Sequence, residues 1–273
     1  MEATNLRDMI VRMKKRTFGI ALRDWRQRRH LSQLELAGDV DISTRHLSFV
    51  ETGRSQPSRE MVLRLAERLD VPLRGRNELL VAAGYAPLYP ARPLDDPALN
   101  SARAAVDLIL RGHEPYPAIL VDRHWNLLAA NQAAGRLMDG IDPAILGPPV
   151  NVLRATLHPK GLSSRIVNLG EWRAHLLSTL ARDVEISADP TLAELLTELR
   201  AYPGDELHPD PQFGGVVVPL KLRTEAGILS LFSTTTVFGT PMEVTLSELM
   251  LEASYPADEF TAQVLRQLAG QRA

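Results

Sequence analysis

The stretch STRHLSFVETGRSQPS, Ser43 to Ser58, decides how this chain is read. Its first residues are small, polar and basic, Leu47, Phe49 and Val50 turn it apolar, and Gly53 breaks it. Ser43 is a helix N-cap, because a serine oxygen accepts from the free backbone N–H groups of a first helical turn. Leu47 and Val50 lie three residues apart on one face, which predicts that this face is buried. A helix with a polar opening turn and anchored later turns is built to present that opening turn to something polar.

Upstream, Ser32 stands before QLELAGDV with Glu35 three residues on, the pattern of a capping box. The helix it starts runs only about two turns before Asp41, too short to be stable unless it packs against neighbours. Two short capped helices joined by a tight turn predict a helix-turn-helix, whose second helix enters the major groove by its amino-terminal end. Thr44, Arg45 and Ser48 then face base edges, with Ser43 heading the reading helix. Arg45 suits a bidentate bond to guanine O6 and N7, and His46 or Gln33 a phosphate or a neighbouring base.

The run LSQLELAGDVDISTRHLSFVETGRSQPSREMVLRLAERLDVP resembles the phage-repressor and Cro type of helix-turn-helix found in xenobiotic-response-element regulators. The shared features are SQxxLA at Ser32–Ala37, Ser43 opening the reading helix, E-x-GR at Glu51–Arg54, and Pro57 before the cap Ser58. The resemblance implies that Gln33 contacts the DNA backbone or a base, that Thr44 and Arg45 read bases, and that Arg54 adds a phosphate contact. One departure is Asp41, where the turn often has glycine; aspartate tolerates left-handed backbone better than most residues. Trp25 is expected in the core. The RQRR run at Arg26–Arg29 fits either a solvated face or phosphate contacts.

Charge and composition agree with such a module. The net charge of −2 hides an asymmetry: residues 1–90 hold 16 Lys and Arg against 11 Asp and Glu, and residues 91–273 hold 15 against 22. The basic third is the one with the helix-turn-helix, as nucleic-acid binding requires. With no cysteine among 273 residues, disulfides, thiolate metal sites and cysteine nucleophiles are excluded. No apolar run is long enough to span a bilayer, and Met1 to Gly19 lacks a signal-peptide core, so a soluble protein of a bacterial-type cytoplasm with no membrane partner is expected.

The stretch AGYAPLYPARPLDDP interrupts the periodic segments. It divides the chain into an all-α helix-turn-helix domain at 1–83, a linker at 84–97 and an α+β domain at 98–273. Helices are expected near Phe18–Arg29, Ser32–Gly38, Ser43–Thr52, Ser58–Leu69 and Arg74–Ala83, and beyond the linker near Leu99–Arg111, Glu171–Val184, Thr191–Ala201 and Ala257–Leu268. Strands are expected at Ala118–Val121, Trp125–Ala129, Gly215–Leu222 and Ile228–Phe238, in two hairpins turning at Asp122–His124 and Arg223–Gly227.

The second domain opens with PAILVDRHWNLLAANQAAGRLM, strand, turn, strand and a helix capped by Asn131, and so resembles a PAS-like sensor. With VNLGEWRAHLLSTL, the hairpin VVVPLKLRTEAGILSLFSTTTVFGTP and LSELMLEASYPADEFTAQVL, it is similar to the ligand-binding domain of MmyB-like regulators. That resemblance implies a small, apolar, fatty-acid-like ligand; no other cofactor and no metal are expected. Strand residues Leu120, Leu128, Leu229, Leu231 and Phe232, with the helical stripe Trp172, Leu176 and Leu180, are candidates to line its cavity or to be plain core. Arg165, Arg173 and His175 are candidates to meet a carboxylate, since a buried charge needs a partner.

Catalysis finds no support: His113, His124, His158, His175 and His208 fall in no metal spacing, and GxSxG and GxGxxG are absent. The expected function is a transcription repressor that binds duplex DNA at an inverted repeat as a homodimer and answers to the ligand. The alternative is a constitutive DNA-binding protein whose second domain only dimerises.

Overall fold

The computed structural model describes residues 17–204, 218–238 and 242–270. The chain divides into two compact units, one running to Arg92 and taking in Glu185–Ser187 and Met242–Val244, the other holding the rest.

The first unit is helical: α1 (Phe18–Arg28), α2 (Gln33–Asp39), α3 (Thr44–Glu51), α4 (Arg59–Arg68) and α5 (Leu73–Ala82). Ser32, Ser43 and Ser58 accept from Glu35 N, His46 N and Met61 N, so three starts are set by the hydroxyl caps that the sequence predicts. The Glu35 carboxylate accepts from Ser32 N at 2.7 Å, completing the capping box. Leu22, Leu36, Leu47, Val50, Val62, Leu65 and Leu80 form the buried core. Gly19 lets α1 lie against the end of α3: a Cβ there would stand 2.3 Å from the Glu51 carbonyl oxygen. Where a linker is expected, the Tyr85 hydroxyl donates to Pro57 O and Asn77 Nδ2 to Tyr89 O, so its first residues are tied to the helices.

The second unit is α+β. After a 3-10 turn at Pro97–Leu99 come α6 (Asn100–Gly112), β1 (Ala118–Val121), β2 (Leu127–Ala130), α7 (Gln132–Leu137) and α8 (Val152–Leu157). Then follow α9 (Leu169–Ser187), α10 (Pro190–Arg200), β3 (Leu220–Thr224), β4 (Gly227–Val237), α11 (Val244–Ser247), β5 (Met250–Pro256) and α12 (Glu259–Gly270). The strands form one antiparallel sheet in the order β2-β1-β5-β4-β3, a PAS-like arrangement.

Both hairpins form, and their details differ from expectation. Trp125 is not in a strand: its φ is +64°, its ring is buried, and β2 begins at Leu127. Asp122 Oδ1 accepts from His124 N and Asn126 N, which curls the connection into a longer loop. The strand expected at Gly215–Leu222 is β3, running from Leu220 to Thr224, with residues 215–217 outside the described ones. Gly227, at φ +130°, closes the second hairpin where a bulkier residue would be strained. Three elements have no counterpart in the sequence reading, the helices α8 and α11 and the strand β5. β5 is the central strand, pairing Leu120 with Leu251 on one side and Thr234 with Ala253 on the other.

The sheet separates two apolar layers. Leu120, Leu251 and Ala253 pack with Val106 and Leu110 of α6, while Val121 packs with Leu177, Leu180, Leu195 and Leu199 of α9 and α10. Asn131 ties the start of α7 to β1: its Oδ1 accepts from Ala134 N as the cap of α7 and from Ala118 N, and its Nδ2 donates to Tyr116 O at 2.7 Å.

Candidate functional site

The turn between α2 and α3 places Asp41 at φ +54°, the left-handed conformation that the sequence requires of it. Leu47 and Val50 are buried, which leaves the opening turn of α3 outward. Arg45 is exposed and its guanidinium Cζ lies 5.3 Å from the Phe49 ring centroid. Gly53, at φ +74°, ends α3 and turns the chain so that Arg54 N donates to Phe49 O at 2.8 Å. The Arg54 guanidinium thereby comes to 5.9 Å from the same ring. Phe49 thus serves two arginines as a platform; the sequence reading took it only for apolar texture. Such stacking narrows their freedom before any contact with DNA is made.

Thr44, His46 and Ser48 are partly exposed on α3, while the Ser43 hydroxyl is used as its cap. Gln33 is not free at the start of α2: its Nε2 donates to Glu51 Oε2 at 2.7 Å. Of the RQRR run, Arg26 is buried against Glu51, and Arg29 donates to Leu69 O and Asp70 O while lying 5.5 Å from the Trp25 ring. These two arginines build the unit, and Arg28 is exposed.

In the second unit the expected ligand residues do not gather in one place. Leu120 lies in the layer under α6, Leu180 in the layer of α9 and α10, and Leu229 and Leu231 in a cluster with Val264 and Leu265 of α12. Leu128 is 42% exposed, and Phe232 stacks on Tyr255 at 5.4 Å. Trp172 belongs to a further cluster with Ile141, Leu162, Ile166 and Leu222, and Leu176 bridges it to the α9–α10 layer. His175 lies 5.4 Å from Trp172; burial, then the charge of Arg182, pushes its imidazole below the ordinary value.

The two arginines expected to meet a carboxylate have structural work. Arg165 Nη1 donates to Asp139 O at 2.7 Å and to Leu137 O at 3.4 Å, past the end of α7. Arg173, buried, donates from Nη2 to Arg200 O at 2.9 Å and to Tyr202 O at 3.3 Å, capping the carbonyl end of α10. Carbonyl ends of helices attract cations, and from sequence that use cannot be told from ligand binding. Two acids the sequence reading passed over are held part-buried: Asp183 accepts from Trp125 Nε1 at 3.3 Å and Glu252 from Thr235 Oγ1. Burial pushes both carboxyls above their ordinary values, and the Asp183 charge adds to the effect on Glu252.

Among the described residues no group of His, Asp and Glu is placed to hold a metal ion, and no helix is long and apolar enough to cross a membrane.

Residues 102–268 match the model of the MmyB-like transcription regulator ligand binding domain. The chain belongs to the MmyB-like transcription regulators. Residues 22–75 match the model of a helix-turn-helix, so this MmyB-like protein joins a DNA-binding module to a ligand-binding domain. Both matched families are regulator domains. No curated protein matches the chain. Two solved structures are similar at low identity. The PAS domain from Bordetella pertussis BvgS is 16% identical at a TM-score of 0.27, over 63% of this chain and 98% of that one. An RNA-binding Light-Oxygen-Voltage receptor is 13% identical at a TM-score of 0.27, over 100% of this chain and 69% of that one.

Proposed function

We propose that this MmyB-like regulator is a repressor that binds an inverted-repeat operator as a homodimer, and that an acyl-chain ligand in its PAS-like domain changes its grip on that operator. The observation that carries the reading is the exposed opening turn of α3, with Arg45 and Arg54 both set beside Phe49. Arg45 reads a base and Arg54 holds a phosphate. One such helix covers too few base pairs for useful specificity, so two copies act together on two half-sites. The ligand domain is rich in leucine, valine and isoleucine and poor in aromatics, which suits a flexible alkyl chain better than a flat ring. Action on duplex DNA would place the protein in a bacterial-type cytoplasm, a compartment with which the lack of cysteine is compatible.

A ligand acts on DNA binding only through a difference in affinity for the two states of the protein, and the coupling is reciprocal. The test is a titration of a medium-chain fatty acid, run with and without operator found by selection from random duplexes, together with footprinting. Protection of two symmetric half-sites and a shift of ligand affinity with operator support the reading. A single half-site occupied by monomer removes the dimer, and equal ligand affinity in both titrations reduces the second domain to a dimerisation module.

A further inference from the structure

Phe49 belongs to the outward side of α3. It shares a face with Arg45 and Ser48, at helical spacings of four and one, and stays partly exposed, whereas Leu47 and Val50 on the other side are 0% and 1% exposed. The Arg45 and Arg54 guanidiniums lie 5.3 and 5.9 Å from its ring centroid. Its carbonyl oxygen accepts from Arg54 N at 2.8 Å and from Ser55 N at 3.1 Å, so the turn after α3 fixes its backbone. A lone apolar side chain at a surface is ordinary. Phe49 differs in standing one helical turn beyond Arg45, on the face that a helix-turn-helix offers to the major groove, with two cations beside its ring.

What a phenyl ring can recognise in that groove is limited. It has no hydrogen-bond donor or acceptor, so against the edges of guanine, cytosine or adenine it would displace water and give nothing back. The C5-methyl of thymine is the apolar group that the groove displays. Residues one helical turn apart are separated by about 5–6 Å, and successive base pairs by about 3.4 Å, so the ring would meet a base pair one or two steps from the one that Arg45 takes. We infer that Phe49 is a specificity-determining residue of this regulator, its ring packing on the methyl of a thymine within about two base pairs of the guanine read by Arg45. The inference rests on the DNA-binding reading proposed above and names a second base group that its reading helix selects.

The test uses the full-length protein and an operator selected from random duplexes. The guanine read by Arg45 is the one whose preference disappears when the selection is repeated with Arg45→Ala. Thymines beside it, on either strand, are then replaced one at a time by deoxyuridine, which removes only the methyl. Wild-type affinity should fall roughly threefold to fivefold at one of them, the worth of one buried methyl, in a comparison that needs no variant. Phe49→Ala should bind the thymine and deoxyuridine operators alike; because the two are compared within one protein, a general weakening of that variant cancels. A selected operator with no thymine beside the guanine, or wild-type indifference to the methyl, overturns the inference while the DNA-binding reading stands. So does a methyl effect that survives in Phe49→Ala, which leaves the ring only a platform for the arginines, and one lost in Thr44→Ser instead assigns the methyl to Thr44. If Arg45→Ala erases no guanine preference, base reading by Arg45 fails and this contact fails with it.

Discussion

Arg26 on α1 and Glu51 at the end of α3 are joined by two parallel hydrogen bonds, Nε to Oε1 at 2.7 Å and Nη2 to Oε2 at 3.0 Å. Glu51 Oε2 also accepts from Gln33 Nε2 at 2.7 Å, and Arg23 Nε stands 3.5 Å away. Burial alone would push this carboxyl up, but the bonds from Arg26 and Gln33, with the charges of Arg26 and Arg23, outweigh it and hold it below its ordinary value. One carboxylate thus fixes the first residue of α2 and the last of α3 to α1, and so sets the angle at which the reading helix is offered.

Glu51→Ala should leave Arg26 buried without a counter-charge. Removing one partner of a buried pair costs about 3–5 kcal/mol, read as a lower urea midpoint for the helical unit. Operator affinity should fall too, because Gln33 and α3 lose their common anchor. A loss under about 1 kcal/mol would place the orientation of α3 in its apolar contacts instead.

Gly19→Ala tests the same joint sterically. A Cβ would lie 2.3 Å from the Glu51 carbonyl oxygen, which is backbone and cannot swing aside. The helix-favouring effect of alanine should be overridden and stability should fall by about 1–3 kcal/mol. A variant as stable as the wild type would show that α1 and α3 can separate without penalty.

Arg45→Ala and Arg54→Ala should differ in kind. On the proposed reading the first would remove a base contact, costing about 1–3 kcal/mol on the operator and relaxing sequence preference. The second would remove a phosphate contact, weakening all duplexes similarly and lowering the salt slope by about one unit. Binding isotherms on operator and random DNA at several salt concentrations separate them; equal losses on both DNAs for Arg45→Ala would take it out of base readout.

Asp189 supplies a pH dependence in the second unit. It caps α10 by accepting from Thr191 N, lies 2.8 Å from His124 Nε2, and has Arg123 at 3.5 Å. Burial pushes its carboxyl up, but the His124 bond and the charges of Arg123 and His124 bring it down to about 2 from 3.8. A depressed folded value stabilises fully above the unfolded one and is lost as pH falls through the folded one. Denaturation midpoints of the wild type and Asp189→Asn should therefore differ most above about pH 4 and converge towards about pH 2. A gap that persists unchanged at the acid end would assign the effect to packing.

Much of the fold was legible because its signals are short-range. A serine or asparagine before a helix, an aspartate in a left-handed turn and a glycine closing a hairpin act over a few residues, and Ser32, Ser43, Ser58, Asn131, Asp41 and Gly227 stand where the sequence puts them. Leu47 and Val50 are buried, as their spacing demands, which turns Arg45 outward.

The sequence by itself determined the two domain types, the capped helices, the outward opening turn of α3 and the two hairpins. Tertiary structure decided what depends on partners far along the chain. β5 is central because β1 and β4 both pair with it; LEASY alternates, so that Leu251 and Ala253 pack under α6 while Glu252 and Ser254 face away, but alternation does not tell which strands come to lie on either side. Arg26, Arg165 and Arg173 look alike in sequence to arginines that bind ligands, and only folding gave them Glu51 and the carbonyl ends of α7 and α10. The physical reason is that caps and turns are settled by neighbours in the chain, whereas a buried charge or a central strand is settled by whichever distant group arrives to satisfy it.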